Sequence, residues 1–258
     1  TTHSAYIGLT IGSSDSYVTN QGTNFISELS ALNKRTLYGS AELGIMLSRH
    51  FGLSLGVGYI PFSTKLSLEN YQGNYEDVDL DYETYERQVF GNAINELQKI
   101  GFLSIPVSLQ LRLPVGNKLG IFVKPGVNVA FPIIKTYETN GTFSFKGYYP
   151  AYNVLFEDIP EYGFPSNASS YAKGNLDLKP YCLIGSVSAG VDFSLSEFAQ
   201  IAVAVQYNRS LLNISNSTQT ENYILSTKVN EIKSFMGNSS NVTAGFIGID
   251  MSIRFLLK

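Results

Sequence analysis

Side chains able to do chemistry are few in this chain, and they fall into three groups. The first is six charges, one or two to a segment, embedded in otherwise uncharged stretches: Glu42, Arg112, Lys124, Asp192, Asp250 and Arg254. Three are acids and three are bases, so they can pair among themselves. The second is an acidic, Tyr-rich run, YQGNYEDVDLDYETYERQ, at 71–88. There Asp77, Asp79 and Asp81 take alternate positions, and the run suits a Ca²⁺ site, since oxygen ligands at that spacing fit the ion, or a basic partner. The plainer reading is a solvated surface loop, because the Gly spacing of an EF-hand is absent. The third is an aromatic run that includes Tyr148, Tyr149, Tyr152 and Phe156. Exposed, such aromatics suit contact with another protein or a glycan. Packed on one another, they would instead form a lid.

Nucleophilic and acid–base chemistry finds little support. The two histidines, His3 and His50, fall in the first residues and in a short turn, neither of them a setting that predicts a cleft with a carboxylate or serine beside the imidazole. No serine elbow, phosphate loop or His/Cys metal spacing occurs, so neither an enzyme nor a cofactor is expected. Cys182 has no second cysteine to pair with and is expected to be an inert buried thiol. The formal net charge of −3 gives no basic field for nucleic acid.

What positions these groups is strict alternation. In residues 102–131, Leu103, Ile105, Val107, Leu109, Leu111 and Leu113 take every second place. A short Pro-Val-Gly-Asn-Lys turn follows. Then Leu119, Ile121, Val123, Val127, Val129 and Phe131 share one parity. Period two puts the alternating sets on opposite faces of a strand, so this is a β-hairpin with one continuous apolar face. The same pattern predicts eight strands, at about 5–12, 37–48, 51–62, 102–113, 119–134, 181–195, 198–210 and 246–257. Their connections alternate between long and tight. Four long connections at one end of an up-and-down sheet are unusual in a compact domain, where loops beyond about 15 residues are rare. An eight-stranded antiparallel outer-membrane barrel accounts for them, with short periplasmic turns, long extracellular loops and both termini periplasmic. The whole chain then reads as one barrel domain. Within the long loops, 92–99 is expected to form a turn or two of helix, Thr139-Asn140-Gly141-Thr142 a hairpin turn, and 211–244 a polar surface.

Alternation alone leaves the sidedness open. A soluble barrel would turn the apolar face inward. The opposite face decides between the two. It is mostly Gly, Ser and Ala, where a water-facing surface would carry more Lys, Glu and Thr. A narrow lumen needs small residues and holds a few paired charges, so the apolar face is assigned to lipid. Charged residues are only 15% of the chain, against about 25% in soluble domains. Phe51, Phe193, Phe198 and Phe255 fall toward the tight-turn end, and Tyr59, Phe131 and Tyr207 toward the long-loop end. Two aromatic girdles are expected at the two membrane interfaces. The polar opening, TTHS, suits a processed secreted chain.

The stretches AYIGLTIG, IGFLSIPVSLQLRL, KLGIFVKPGVNVAF, VQYNRSLLNIS and IGIDMSIRF carry a resemblance. The chain resembles the PorT-like outer-membrane β-barrel domain family of Bacteroidetes and, more distantly, the OmpA-type eight-stranded barrel. The resemblance covers strands and turns, not loops. It departs from the terminal aromatic residue common in such barrels, since Phe255 is followed by Leu256, Leu257 and Lys258. It implies outer-membrane lipid as surroundings and other outer-membrane or cell-surface proteins as partners. Two functional readings stay open: a structural or accessory subunit of a secretion or barrel-assembly machine, or a stand-alone surface protein that binds a glycan, peptide or ion with its long loops. A transport pore fits least, because side chains fill an eight-stranded interior.

Overall fold

A computed structural model describes residues 4–21, 29–217 and 223–257. His3 lies outside them. Among the described residues ten strands occur: β1 (Ser4–Gln21), β2 (Ser30–Met46), β3 (Phe51–Val78), β4 (Thr84–Val115), β5 (Leu119–Tyr149), β6 (Val154–Phe156), β7 (Ala168–Asn175), β8 (Cys182–Ser194), β9 (Ala199–Ser210) and β10 (Asn241–Leu257). Eight of them close a ring, β1-β2-β3-β4-β5-β8-β9-β10, every neighbour antiparallel. Closure comes from β1 on β10, with Ile7 opposite Phe255, and from β4 on β5, with Leu103 opposite Phe131. Strands β6 and β7 are outliers that pair with the far half of β5.

Over the part of the ring nearest the tight turns, the apolar parity faces outward. Leu53, Leu55 and Val57 on β3, Ile105 and Val107 on β4, Ile121 and Val123 on β5, and Ile247, Ile249 and Met251 on β10 are all exposed. The aromatics assigned to the two girdles, from Phe51 to Tyr207, are exposed as well. A continuous outer belt of this kind, closed so that no strand edge is free, is what a bilayer demands of a spanning sheet. The fold is an eight-stranded transmembrane β-barrel.

Past Tyr59 the barrel continues, but its chemistry inverts. Along β3 the inward positions change from Ser54, Gly56 and Gly58 to Ile60, Phe62, Leu66 and Leu68. The outward ones change from Leu53, Leu55 and Val57 to Ser63, Lys65 and Ser67. Strand parity is unbroken; only the surroundings switch from lipid to water. This extension corrects three sequence expectations. The hairpin of β3 and β4 runs on to Val78 and Thr84, so most of 65–99 is strand. Residues 92–99 lie in β4 and form no helix, although Ala93, with a φ of +51°, marks a bulge there. Thr139-Asn140-Gly141-Thr142 is no turn; it lies in mid-strand, paired to both β4 and β7.

The extension is filled with apolar side chains, Phe62, Phe102 and Phe246 in one cluster and Leu68, Phe143, Phe145 and Phe235 in the next. Segment 223–240 supplies part of that filling. It was expected to be a polar surface, yet Leu225, Ile232, Phe235 and Met236 are buried inside the barrel. A short 3₁₀ turn, Phe235–Asn238, is capped by the Ser234 hydroxyl, which accepts from the Met236 N–H. Its anchor is Glu96, fully buried on β4. That carboxylate accepts from Gln98 Nε2 (2.6 Å), Ser234 Oγ (2.7 Å), Thr139 Oγ1 (2.9 Å) and the Phe235 N–H (3.0 Å). Burial pushes the Glu96 carboxyl up, and the four donors pull the other way.

Candidate functional site

At membrane level the six lumen charges do not join into one closed network. Arg112 donates to both oxygens of Asp192 in a forked pair, Nε to Oδ2 at 2.8 Å and Nη2 to Oδ1 at 2.5 Å. Lys124 pairs with Glu42, which also accepts from Ser54 Oγ at 3.3 Å and Tyr6 OH at 3.4 Å. Asp250 accepts from Tyr38 OH at 3.1 Å. Arg254 makes no ion pair among the described residues. Its guanidinium lies between the rings of Tyr6 and Phe122, 5.4 and 5.2 Å from their centroids. A chamber of about 80 Å³ separates these groups from the apolar plug above. Cys182 is buried in that plug, and His50 sits exposed in the β2–β3 turn.

The far end of the extension is different. There the β3–β4 hairpin tip and residues 149–164 enclose a cleft of about 770 Å³. Its floor is organised by Arg87. This side chain is buried between the rings of Phe145 and Phe164, 5.3 Å from each. It donates to Tyr85 OH at 3.0 Å and to the Gly163 carbonyl at 2.7 Å. Gly163 has a φ of +82°, a left-handed conformation that a side chain would strain. Tyr85 and Tyr149 stack on that floor, centroids 5.1 Å apart and planes 12° apart, with Phe164 edge-on to Tyr85 and Phe156 edge-on to Tyr149.

Carboxylates ring the aromatic floor. Asp79, Asp81, Glu83 and Glu161 line the cleft, and among the described residues no Lys, Arg or His does. Tyr149 OH donates to Asp79 Oδ2 at 3.0 Å, and Tyr152 OH donates to Glu83. Asp79 Oδ1 accepts the N–H groups of Asp81 (3.0 Å) and Glu83 (2.9 Å), which shapes the turn. The Glu83 amide, with help from Tyr149 and Asp81, holds the Asp79 carboxyl below its usual range. Burial and the adjacent Asp79 push the Tyr149 phenol up to about 12. At neutral pH the cleft is thus anionic, with neutral phenols.

Of the residues singled out from sequence, Tyr149, Tyr152 and Phe156 meet in this cleft. Tyr148 does not; its hydroxyl donates to Asn153 Oδ1 at 3.1 Å. Two of the three acids of the Ca²⁺ reading, Asp77 and Asp79, already have partners. Asp77 Oδ2 is taken by Tyr85 OH and Asp79 by the turn amides and Tyr149. Among the described residues no group of three His, Cys, Asp or Glu side chains is placed to hold a metal. Tyr85 and Glu83 belong to the acidic, Tyr-rich run singled out from sequence; Arg87 and Glu161 are the cleft residues that sequence reading missed. Arg87 alone had a visible signal, as the one cation inside an acidic, Tyr-rich run.

The closed ring, outward apolar belt and filled interior define a transmembrane β-barrel with a large folded extension on its long-loop side. No protein-family model matches the chain, and no curated protein does. Similar solved structures include neisserial surface protein A, at 10% identity over 98% of each chain with a TM-score of 0.37. OprG, an outer membrane protein of Pseudomonas aeruginosa, is 14% identical over 98% of this chain and 96% of its own, TM-score 0.37. Ail, the attachment invasion locus protein of Yersinia pestis, was solved with the heparin analogue sucrose octasulfate; it is 11% identical over 97% of this chain and 99% of its own, TM-score 0.33.

Proposed function

We propose that this chain is a non-enzymatic outer-membrane surface protein that captures a cationic segment of another protein in its distal cleft. The tight turns and both termini then face the periplasm and the extension faces outward. The observation that carries the reading is the cleft itself: an aromatic floor rimmed by four carboxylates, with the Arg87 guanidinium beneath the rings and already engaged by Tyr85 and Gly163. Aromatic faces and carboxylates together attract Lys and Arg side chains, through the ring quadrupole and by charge. The outer-membrane place, and kinship with the PorT-like family of Bacteroidetes, rest on the strand patterns and the apolar belt.

The test is binding of an Arg/Lys-rich octapeptide to the refolded protein in lipid nanodiscs. Saturable binding that is weakened by salt, and about tenfold weaker for Tyr152→Ala or Glu83→Gln, supports the reading. Equal binding by both variants, or preference for a neutral glycan, would sink it.

A second reading, an accessory subunit of a larger outer-membrane assembly, is favoured by the hairpin tip. Leu80 is 97% exposed and Tyr82 89%, an apolar prong standing beside the cleft. Extraction in mild detergent followed by mass spectrometry separates the two. Recovery of the chain alone speaks against the subunit role.

A further inference from the structure

The turn end of the barrel holds a second cavity that the proposed function does not use. It opens beneath the lumen charges with a volume of about 440 Å³. Arg49, Gln110, Arg112, Ser194, Gln200 and Arg254 are among its walls, and among the described residues no carboxylate is. We propose that this vestibule binds a small oxyanion, a carboxylate or a phosphate, through Arg254 and Gln110.

Arg254 is the first argument. It is only 4% exposed, donates no hydrogen bond among the described residues, and its Nε is buried without a partner. The two lumen cations nearest in role are already engaged, Arg112 by Asp192 and Lys124 by Glu42. Asp250 is occupied by Tyr38. Glu42 and Asp250 share the chamber above with Arg254 and act on it through space, but neither hydrogen-bonds it, and a forked oxyanion on the vestibule side supplies the bonds its guanidinium lacks. The ring sandwich fixes the guanidinium plane. Tyr6 can lie where it does because residue 44 is glycine; a Cβ there would meet the Tyr6 ring at 2.1 Å.

Gln110 is the second, independent argument. It is 1% exposed, lines the same cavity, and both its amide nitrogen and its amide oxygen lack any partner. A buried amide left wholly unpaired is destabilising unless something enters to meet it. Its N–H groups suit the same anion as Arg254, and its carbonyl suits a hydroxyl of a protonated phosphate. Gln200, Ser194 and Arg49 extend the donor set toward the mouth.

The experiment uses the full chain refolded in lipid nanodiscs, labelled with ¹⁵N, and titrated at constant ionic strength with inorganic phosphate, acetate or chloride. The side-chain resonances of Arg254 Nε–H and the Gln110 amide are read. Saturable shifts with phosphate or with acetate, exceeding those with chloride, are expected and tell which oxyanion the site prefers. Gln110→Leu should fold, keep its heat-modifiable gel mobility, and weaken the anion about tenfold. Arg254→Gln should abolish saturation; should that variant fail to fold, Gln110→Leu carries the test alone. Shifts that never saturate, or the same titration curve in wild type and Gln110→Leu, would mean water or adventitious ions only and would overturn the proposal.

Discussion

One set of strands encloses two interiors built on opposite principles. Near the tight turns the inside is polar and the outside apolar: Ser54, Ser104 and Ser108 face the lumen while Leu53, Leu103 and Leu109 face outward. Farther along the same strands the inside is apolar and the outside polar, as Phe62, Ile100 and Phe102 give way outward to Ser63 and Lys99. The crossover sits at Tyr59, Phe131 and Tyr207, the aromatic girdle of the long-loop side. The difference teaches that sheet parity carries no intrinsic sense of inside. It records which solvent each height of the barrel meets. Each half also stabilises its centre by different means, paired charges in one and packed rings with a buried carboxylate in the other.

The comparison breaks most sharply at the lumen pair. Asp192 is fully buried, and its two oxygens are held by one guanidinium. Asp192→Ala leaves Arg112 without its partner and is expected to lower unfolding stability by roughly 3–5 kcal/mol. Arg112→Ala should cost as much or more, since it strands the fully buried Asp192 carboxylate, whereas the guanidinium left by Asp192→Ala is 17% exposed and opens onto the vestibule. Urea titration in lipid vesicles measures both. Equal midpoints for the two variants and wild type would mean that water, not the pair, fills the lumen there.

In the extension, Glu96→Ala removes one acceptor and orphans four donors. A loss of roughly 2–4 kcal/mol is expected, since each buried donor left unpaired carries its desolvation penalty. The loss should be local in a way that the lumen loss is not. Segment 223–240 should become cleavable by protease while the gel mobility of the membrane ring stays native. Cleavage at an unchanged rate would show that apolar packing alone holds the plug.

Why the two halves were unequally legible follows from the same inversion. The membrane half announces itself, because its outer belt alternates cleanly from Leu103 to Leu113 and from Leu119 to Phe131. The extension keeps alternating, but in the opposite phase, and a phase flip reads as the end of a strand. Leu66 and Leu68, beyond the strand expected at 51–62, therefore read as a departure from the pattern, and 65–99 as a long loop. The bulge at Ala93 broke the remaining rhythm. Segment 223–240 was harder still. Its buried Leu225, Ile232 and Phe235 are spaced by Ser, Lys and Asn, with no period of either kind, and only the tertiary pairing with Glu96 explains them. The cleft was half legible. The aromatics and acids were visible as compositions, but Arg87 joins the two runs across distant sequence, to Phe145, Phe164 and Gly163.

The smallest expected effect lies at the cleft rim, where Asp79 shapes the turn. Its folded-state pKa is depressed below the unfolded value of about 3.9, chiefly by the Glu83 amide. A depressed carboxylate contributes its stability above the unfolded pKa and loses it as pH falls through the folded one. The tip is therefore expected to loosen only below about pH 4 and to be insensitive from neutral pH down to about 5. Because Asp79 is solvent-accessible, global unfolding should not shift measurably. Amide exchange at Asp81 and Glu83, whose N–H groups Asp79 accepts, should rise on acidification. Asp79→Asn should bring on the same fast exchange at pH 7, while the amides of Gly56 and Gly58 in the membrane half stay protected in both cases. Protection lost in the two halves together would show that tip and barrel open as a single unit.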